Sequence, residues 1–549
     1  MMAGVGSAYA QGEMDAYRFS TKELNGTARY MSMGGAFGAL GGDISVMDNN
    51  PAGLGIYRSS EIVTTLSVAS QKNKTNWEGT LMDSQKTRFN FDNIAYVGYF
   101  PTGNDEGLVS WNVGFSYNRV KSFDRTYHMG RGSGGASISD YIAGSTNLSS
   151  GVTGDDLWQT NSYNPYLSQN WLSTLAFNAG LIDTYSMNKA GTFFSTMGYI
   201  DENGDWTPSE MKTADLIVNE KGAIDKYNFS VATNISNILF IGATVNVTDL
   251  RYTLRTSYDE NFGYFIYDEE AAKNDNFEDA LYLDNQSKTT GTGYGVNLGV
   301  IVRPTDFLRL GVAYNSPTWY TFTRRYQAEA GAYIYEYFMD EEDRNAVDPG
   351  NVNMEWQATT PTDFYTEYKL QSADRWIFSA AAVLGNVGLI SVDYELAGYK
   401  NMRLKDRDGS SNEFDNGLIK SDFRNASTVR VGAEVKVTPQ FSLRAGTALQ
   451  NSPVKDYMLA GNADVTEVYP VGTQTAYSVD RSVSDYTFGF GYRFTPAFYM
   501  DLAYVYRVQK QDVSPFPNLI DNGDLLVETL PASLKTSTQK FALTLGYKF

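Results

Sequence analysis

Few residues of this chain could carry chemistry, and their types narrow the possible reactions before any fold is considered. The 549 residues hold one histidine, His128, and no cysteine. Without a thiolate there is no Cys nucleophile, no disulfide framework and no sulfur-ligated metal. His128, in Tyr127-His128-Met129, has no Cys to pair with and no second His to share a metal. Haem ligation, which asks for His or Tyr, suits it less than a plain surface position. The acidic runs Asp268-Glu269-Glu270 and Asp340-Glu341-Glu342-Asp343 could bridge divalent ions to polysaccharide, because hard cations favour carboxylate oxygen. A solvated acidic loop is the commoner use of such a run. Asp201-Glu202-Asn203-Gly204-Asp205 and Asp406-Arg407-Asp408-Gly409 contain pieces of a calcium loop but lack its twelve-residue spacing and terminal Glu, and read as turns. There is no nucleophile–base–orienter set and no phosphate-binding loop. Neither an enzyme nor a cofactor is expected.

The remaining charges of interest alternate with apolar residues. Arg309, Asp393, Glu395, Arg430, Glu434, Lys436 and Arg444 each fall on the polar face of a period-2 pattern. Such residues form ion-pair ladders on one side of a strand. Arg309, Arg430 and Arg444 are also candidates to hold a carboxylate, whose two oxygens fit the planar guanidinium fork.

The elements that must position them are strands. The chain ends in Phe541, Leu543, Leu545, Tyr547 and Phe549 on one face, with Lys540, Ala542, Thr544, Gly546 and Lys548 on the other. A greasy face running to the last residue would be an aggregation-prone edge in a soluble domain. In an outer-membrane barrel it is the closing strand, and a final aromatic reads as an assembly signal, so Phe549 is singled out. Composition agrees: 39 Tyr, 30 Phe, 14% aromatic residues and mean hydropathy −0.35, with no apolar run long enough for a membrane helix. The net charge of −19 argues against nucleic acid. Alternation recurs from residue 60 to the end in about fourteen segments. Short turns, such as 101–104 and Gly385-Asn386, alternate with long segments at 123–224, 259–285 and 328–364. This asymmetry predicts an all-β, transmembrane antiparallel barrel over 59–549, with periplasmic turns and outer loops. Ala8-Tyr9-Ala10 before Gln11 reads as the end of a signal peptide over 1–10.

Between lies a motif. Ala28 to Asp43 includes Met31, Met33, Gly34, Gly35, Ala36, Phe37 and Asp43, followed by Asn50-Pro51-Ala52-Gly53-Leu54. Small residues permit close backbone packing, Asn and Pro set a turn, and Met and Phe supply an adaptable apolar surface. Residues 11–58 therefore read as a plug (hatch) inside the lumen. The motif resembles the FadL/TodX family of outer-membrane transporters for hydrophobic compounds, with weaker echoes at 441–454 and 499–506. The resemblance implies an apolar groove at the outer loops, a pocket against the plug, and exit sideways at a kink of the third strand. Gly114 is the candidate kink, since glycine within a strand often marks a bulge. It implies import of small hydrophobic molecules such as long-chain fatty acids, with outer-membrane lipid, lipopolysaccharide and the barrel-assembly machinery as partners. The alternative is a PorV-like, non-transporting barrel subunit of a secretion or assembly complex, with 123–224 as a partner surface.

Overall fold

Closure follows from the alternation. The computed structural model describes residues 12–200, 206–268, 273–277, 279–334, 354–362, 364–459 and 468–549. The expected signal segment 1–10, the turn at 201–205, Glu269-Glu270 and the acidic run 340–343 lie outside the described residues.

Fourteen antiparallel strands form the wall: β1 (Glu61–Trp77), β2 (Thr80–Pro101), β3 (Leu108–Ser122, resuming as Arg125–Arg131), β4 (Glu210–Ile235), β5 (Leu239–Asp268), β6 (Lys273–Phe277 and Ala280–Val302), β7 (Leu308–Asn315 and Trp319–Ile334), β8 (Met354–Thr359, Tyr365–Gln371 and Arg375–Leu384), β9 (Gly388–Ala397 and Arg403–Asp406), β10 (Ala426–Lys436), β11 (Phe441–Gln450), β12 (Tyr477–Arg493), β13 (Phe498–Ser514) and β14 (Ala532–Lys548). Each pairs with the next, and β14 returns to β1 from Glu61↔Lys548 to Asn76↔Ser533. The strand count and the closure are those expected from the sequence. Among the described residues no helix is long and apolar enough to cross a membrane; the crossing is made by strands.

At one end, the turn end, connections are short. Ser236 and Asn237 join β4 to β5 with φ of 53° and 57°, the left-handed pair that a tight hairpin needs. Arg303 and Asp306 close the next turn with a 2.6 Å ion pair. Just above these turns the wall faces outward with Ile241, Val245, Val247, Leu310, Val312, Ile390, Val392 and Tyr394, all exposed. Two rows of rings bound this belt. Phe100 stacks on Trp111 at 4.4 Å and Phe494 packs on Phe498 at 5.5 Å beside the turns. Tyr117–Tyr227, Tyr294–Trp319 and Tyr314–Trp376 pair at 5.5, 5.5 and 4.8 Å farther up. Eight residues separate Tyr294 from Val302 at the turn, so at ~3.4 Å per residue the belt is roughly 25 Å tall, the height of a barrel's lipid band.

Above the belt the pattern inverts. On β5 the outward residues change from Ile241, Val245 and Val247 to Asp249, Arg251 and Arg255, while the buried inward ones change from Thr244, Asn246 and Thr248 to Leu250, Tyr252 and Leu254. The wall thus rises out of lipid with water outside and an apolar core inside. This inversion explains why much of 259–285 and 328–364, expected as acidic loops, is strand: polar outward positions beyond the belt imitate loop composition. Segment 123–224 is likewise wall at both ends. Its middle holds two longer helices, a short helical turn at Gly154–Leu157 and small hairpins.

The described residues before β1, from Gly12 on, lie inside the barrel. α1 (Glu13–Ser20) sits in the apolar upper half, where Phe19 meets Tyr252, Phe322 and Phe123 at 5.5, 5.3 and 6.1 Å. α2 (Ala28–Ser32) and two 3-10 turns, Ile44–Met47 and Pro51–Ile56, fill the polar lower half. At the far end α3 (Ile138–Leu148), with a Ser137/Asp140 capping box, and α4 (Trp171–Asn178) pack over the same upper core.

Candidate functional site

The motif residues make the lumenal segment compact by capping it. Thr27 accepts from Tyr30 N at 3.1 Å at the start of α2. Asp43 accepts from Ser45 N at 2.9 Å and from Thr27 Oγ1 at 2.7 Å, so one carboxylate caps a turn and ties it to the helix. Asn50 does the same for the next turn: its Oδ1 accepts from Ala52 N at 3.2 Å and its Nδ2 donates to Gly38 O at 2.6 Å. Pro51 sits at the first helical position, where no donor is needed. Met31, Met33, Ala36, Phe37 and Ala52 are fully buried, and Gly34 and Gly35 turn the chain with φ of 64° and 76°.

A matching set of wall glycines receives this segment. A Cβ on Gly446 would lie 2.3 Å from Met33 C, on Gly432 2.5 Å from Met33 O, on Gly311 2.4 Å from Gly38 O and on Gly242 2.3 Å from Pro51 C. Gly53 is itself pressed against Gly41, 2.9 Å from where its Cβ would be. Backbone therefore lies against backbone, a contact only glycine permits. Polar wall side chains complete the seat: Thr544 Oγ1 accepts from Ala28 N at 2.7 Å, Thr487 donates to Ser32 O at 2.9 Å and Asn297 donates to Met47 O at 3.2 Å.

The three candidate arginines are placed differently. Arg444 bonds Glu434 and Asp501, each at 2.6 Å, and Glu434 also takes Arg29 of the lumenal segment at 2.9 Å. Arg309 donates to Leu40 O. Arg430 pairs with Glu395 at 2.8 Å, and its buried Nη1 has no partner among the described residues. Arg430 lines a polar cavity of about 70 Å³ with Lys22, Tyr30, Asp48 and Arg507. Asp393, expected in a charge ladder, accepts from Gly38 N at 2.9 Å. No sequence signal pointed to Asp48, which bridges Lys22 at 3.4 Å and Lys226 at 2.7 Å. Burial pushes its carboxyl up, but the two ammonium groups outweigh this and hold it below the ordinary range. His128 pairs with Asp215 at 3.0 Å at a half-exposed position. Asp406 and Gly409 form a turn closed by a 2.9 Å backbone bond.

Glu13 is the outlier of the upper half. Burial, with Asp415, Asp422 and Asp15 nearby, pushes its carboxyl up to about 8. A raised folded pKa gives a stabilisation that is full below the usual 4.5 and is lost as pH rises through about 8. Glu13→Gln, which keeps a neutral side chain, should therefore melt with the parent at pH 5 and above it at pH 8.5. Calorimetry at both values checks this, and equal melting temperatures at pH 8.5 would refute it.

Between β2 and β3 the wall is discontinuous. β2 and β3 are hydrogen-bonded from Pro101↔Ser110 to Asn93↔Asn118 and no farther. β2 stays with β1 up to Trp77↔Thr80, while β3 stays with β4 through a bulge at Arg119/Lys121 and on to Arg131↔Ala214. The upper part of β3 has moved behind the β1–β2 hairpin: inward-facing Asn73 and Thr75 donate to its Thr126 O and His128 O, both at 2.7 Å. Only side chains, Ser84 to Thr126 O at 2.6 Å and Arg88 to Asp124 O, bridge from β2 to the departing strand. Phe89 and Phe91 are exposed at this height, with Phe91 stacked on Tyr117 at 5.7 Å, so the seam begins at the upper edge of the apolar belt. Gly114 lies inside the intact ladder, opposite Val97 and Ser230, and makes room for Met47 Cε, 2.4 Å from where its Cβ would be.

These features have relatives. The family described as outer membrane protein transport protein (OMPP1/FadL/TodX) matches residues 219–549. The chain belongs to this family. Among solved structures, a Pseudomonas aeruginosa FadL homologue is similar at a TM-score of 0.51 and 15% identity, covering 96% of this chain and 100% of that one. The P. putida toluene transporter TodX follows at 0.46 and 13%, covering 96% and 99%, and the Ralstonia pickettii toluene transporter TbuX at 0.42 and 14%, covering 96% and 99%. No curated protein matches. The chain is thus a FadL/TodX-family β-barrel of the bacterial outer membrane, of the type that transports hydrophobic compounds. Within this FadL/TodX barrel the family match begins in β4, so the lumenal segment and the far-end helices stand outside the matched residues.

Proposed function

We propose that this barrel is a passive importer of small hydrophobic molecules, long-chain fatty acids by default, that releases them sideways into lipid through the seam between β2 and β3. The observation that carries the reading is the ladder that stops at Asn93↔Asn118, at the upper edge of the apolar belt. Water-exposed apolar surface gains roughly 25 cal/mol per Å² on entering lipid, so lateral release is downhill without an energy source. The turn end faces the periplasm and the far end faces out, residues 11–58 serve as the plug, and Arg430, which lines the polar cavity, is the candidate carboxylate holder. Because the upper half is packed around Phe19, passage requires the lumenal segment or the far-end helices to shift.

Uptake of labelled oleate and of toluene by cells with and without the protein tests the reading. Saturable uptake above the control is expected for at least one of them. No uptake, together with a stoichiometric partner on purification in mild detergent, would favour the complex-subunit reading, which the folded far-end segment supports.

The assembly role of Phe549 is tested separately. Its backbone exchanges bonds with Ser60 at 3.0 and 3.1 Å, and its ring, mostly exposed toward lipid, lies beside Tyr96 at 6.4 Å. Deleting it removes two edge bonds, about 1 kcal/mol each, from a wall of fourteen strands. Membrane levels should fall while the surviving protein stays heat-resistant on a semi-native gel. Unchanged levels would show that Phe549 is not a signal.

A further inference from the structure

We infer that the far-end helical segment carries a docking surface for neutral polysaccharide. In a chain with 63 acidic and 44 basic residues, no charged residue occurs between Asp156 and Asp183. The exposed part of that stretch, Trp158 to Asn170, consists of aromatic, amide and hydroxyl residues with one proline and one leucine. Trp158 is 45% exposed and Tyr163 36%, and Tyr185, from the adjoining hairpin, is 69% exposed.

The rings are held in place rather than loose. Trp158 sits edge-on to Phe177 at 6.1 Å, Tyr163 donates its hydroxyl to Asp156 O at 3.0 Å, and Tyr185 stacks on Phe194 at 4.3 Å. A backbone bond joins two of these segments: Asp155 N donates to Met187 O at 2.9 Å, which brings the hairpin carrying Tyr185 against the turn that leads into Trp158. The backbone between the rings is fixed as well, by Gln159 N to Asn178 Oδ1 at 3.0 Å and Thr160 N to Tyr163 O at 3.1 Å.

Rigid aromatic faces supply contact area at low entropic cost, and neighbouring Asn, Ser and Thr supply adaptable hydrogen bonds. A sugar ring presents the complement: a flat C–H face for the aromatic ring and a rim of hydroxyls for amides and carbonyls. The charge-free stretch from Leu157 to Ile182 favours a neutral glycan over an anionic one, and its single exposed aliphatic side chain, Leu167, disfavours a protein interface core.

The purified full-length barrel is run in native gels containing mannan, dextran or laminarin, with heparin as the anionic control. Retardation by at least one neutral polysaccharide and not by heparin is expected. The Trp158→Ala/Tyr163→Ala/Tyr185→Ala variant should lose it by about tenfold or more, with unchanged heat resistance. Three outcomes would overturn the proposal: no retardation by any neutral glycan, equal retardation by heparin, or retardation that survives the triple variant. Footprinting on whole cells covers the protein-partner case, since rings shielded there and indifferent to added glycan would also overturn it.

Discussion

Replacing one wall glycine, Gly446→Val, is expected to expose a thiol that the parent protein hides completely. The reporter is Ser32→Cys, a near-isosteric change at a fully buried position in a chain with no other cysteine. In the parent background a water-soluble maleimide should label Cys at this position very slowly, because labelling requires the segment to leave its seat. A side chain on Gly446 would collide with Met33 C at 2.3 Å and Gly34 N at 2.6 Å, and backbone cannot swing aside as a side-chain tip can. Overpacking costs about 1–3 kcal/mol, which corresponds to a labelling rate roughly 5- to 150-fold higher. Gly417→Ala, where nothing lies within 4 Å of the added carbon, is the matched control. Equal labelling of the Gly446→Val variant and its parent would mean that close backbone contact does not hold the segment. The barrel should stay folded throughout, because its strands satisfy one another's hydrogen bonds.

How far this site could be read from sequence depends on whether its cause is local. Asn50-Pro51 starts its turn through Ala52, two residues from Asn50, and residue type alone indicates that turn. The lipid face was equally legible, since Ile241, Val245 and Val247 or Phe541, Leu545 and Tyr547 need only a period of two. Above the belt the same rule misled: Leu250, Tyr252 and Leu254 face inward there, and the polar outward residues made long strands look like loops. The glycines that seat the segment, Gly432 and Gly446, interrupt no pattern and gain meaning only from Met33, about four hundred residues earlier. Asp48 and Lys226 are likewise distant in sequence, 178 residues apart. The resemblance implied a kink of the third strand with Gly114 as its candidate, and Gly114 lies inside the intact ladder, below its end at Asn118. The ladder ends at Asn118, a residue with no special backbone freedom, because the upper part of β3 is pulled inward by Asn73 and Thr75 of a different strand.

The seam also carries the second large effect. If cargo leaves between β2 and β3, a covalent staple across it must stop transport without touching the plug, the cavity or the closing strand. Arg88 and Asp124 face each other over the opening, the Arg88 guanidinium reaching Asp124 O, and the absence of native cysteine makes Arg88→Cys/Asp124→Cys the only reactive pair. A bifunctional thiol reagent with a cleavable disulfide in its linker joins the two, and each single-cysteine variant treated alike controls for bulk added at the rim.

The measurement is oleate and toluene uptake by cells carrying the stapled pair. Uptake should fall to the level of cells lacking the protein when the linker is intact and return once the linker is reduced. Undiminished uptake with the staple in place would contradict lateral release through this seam.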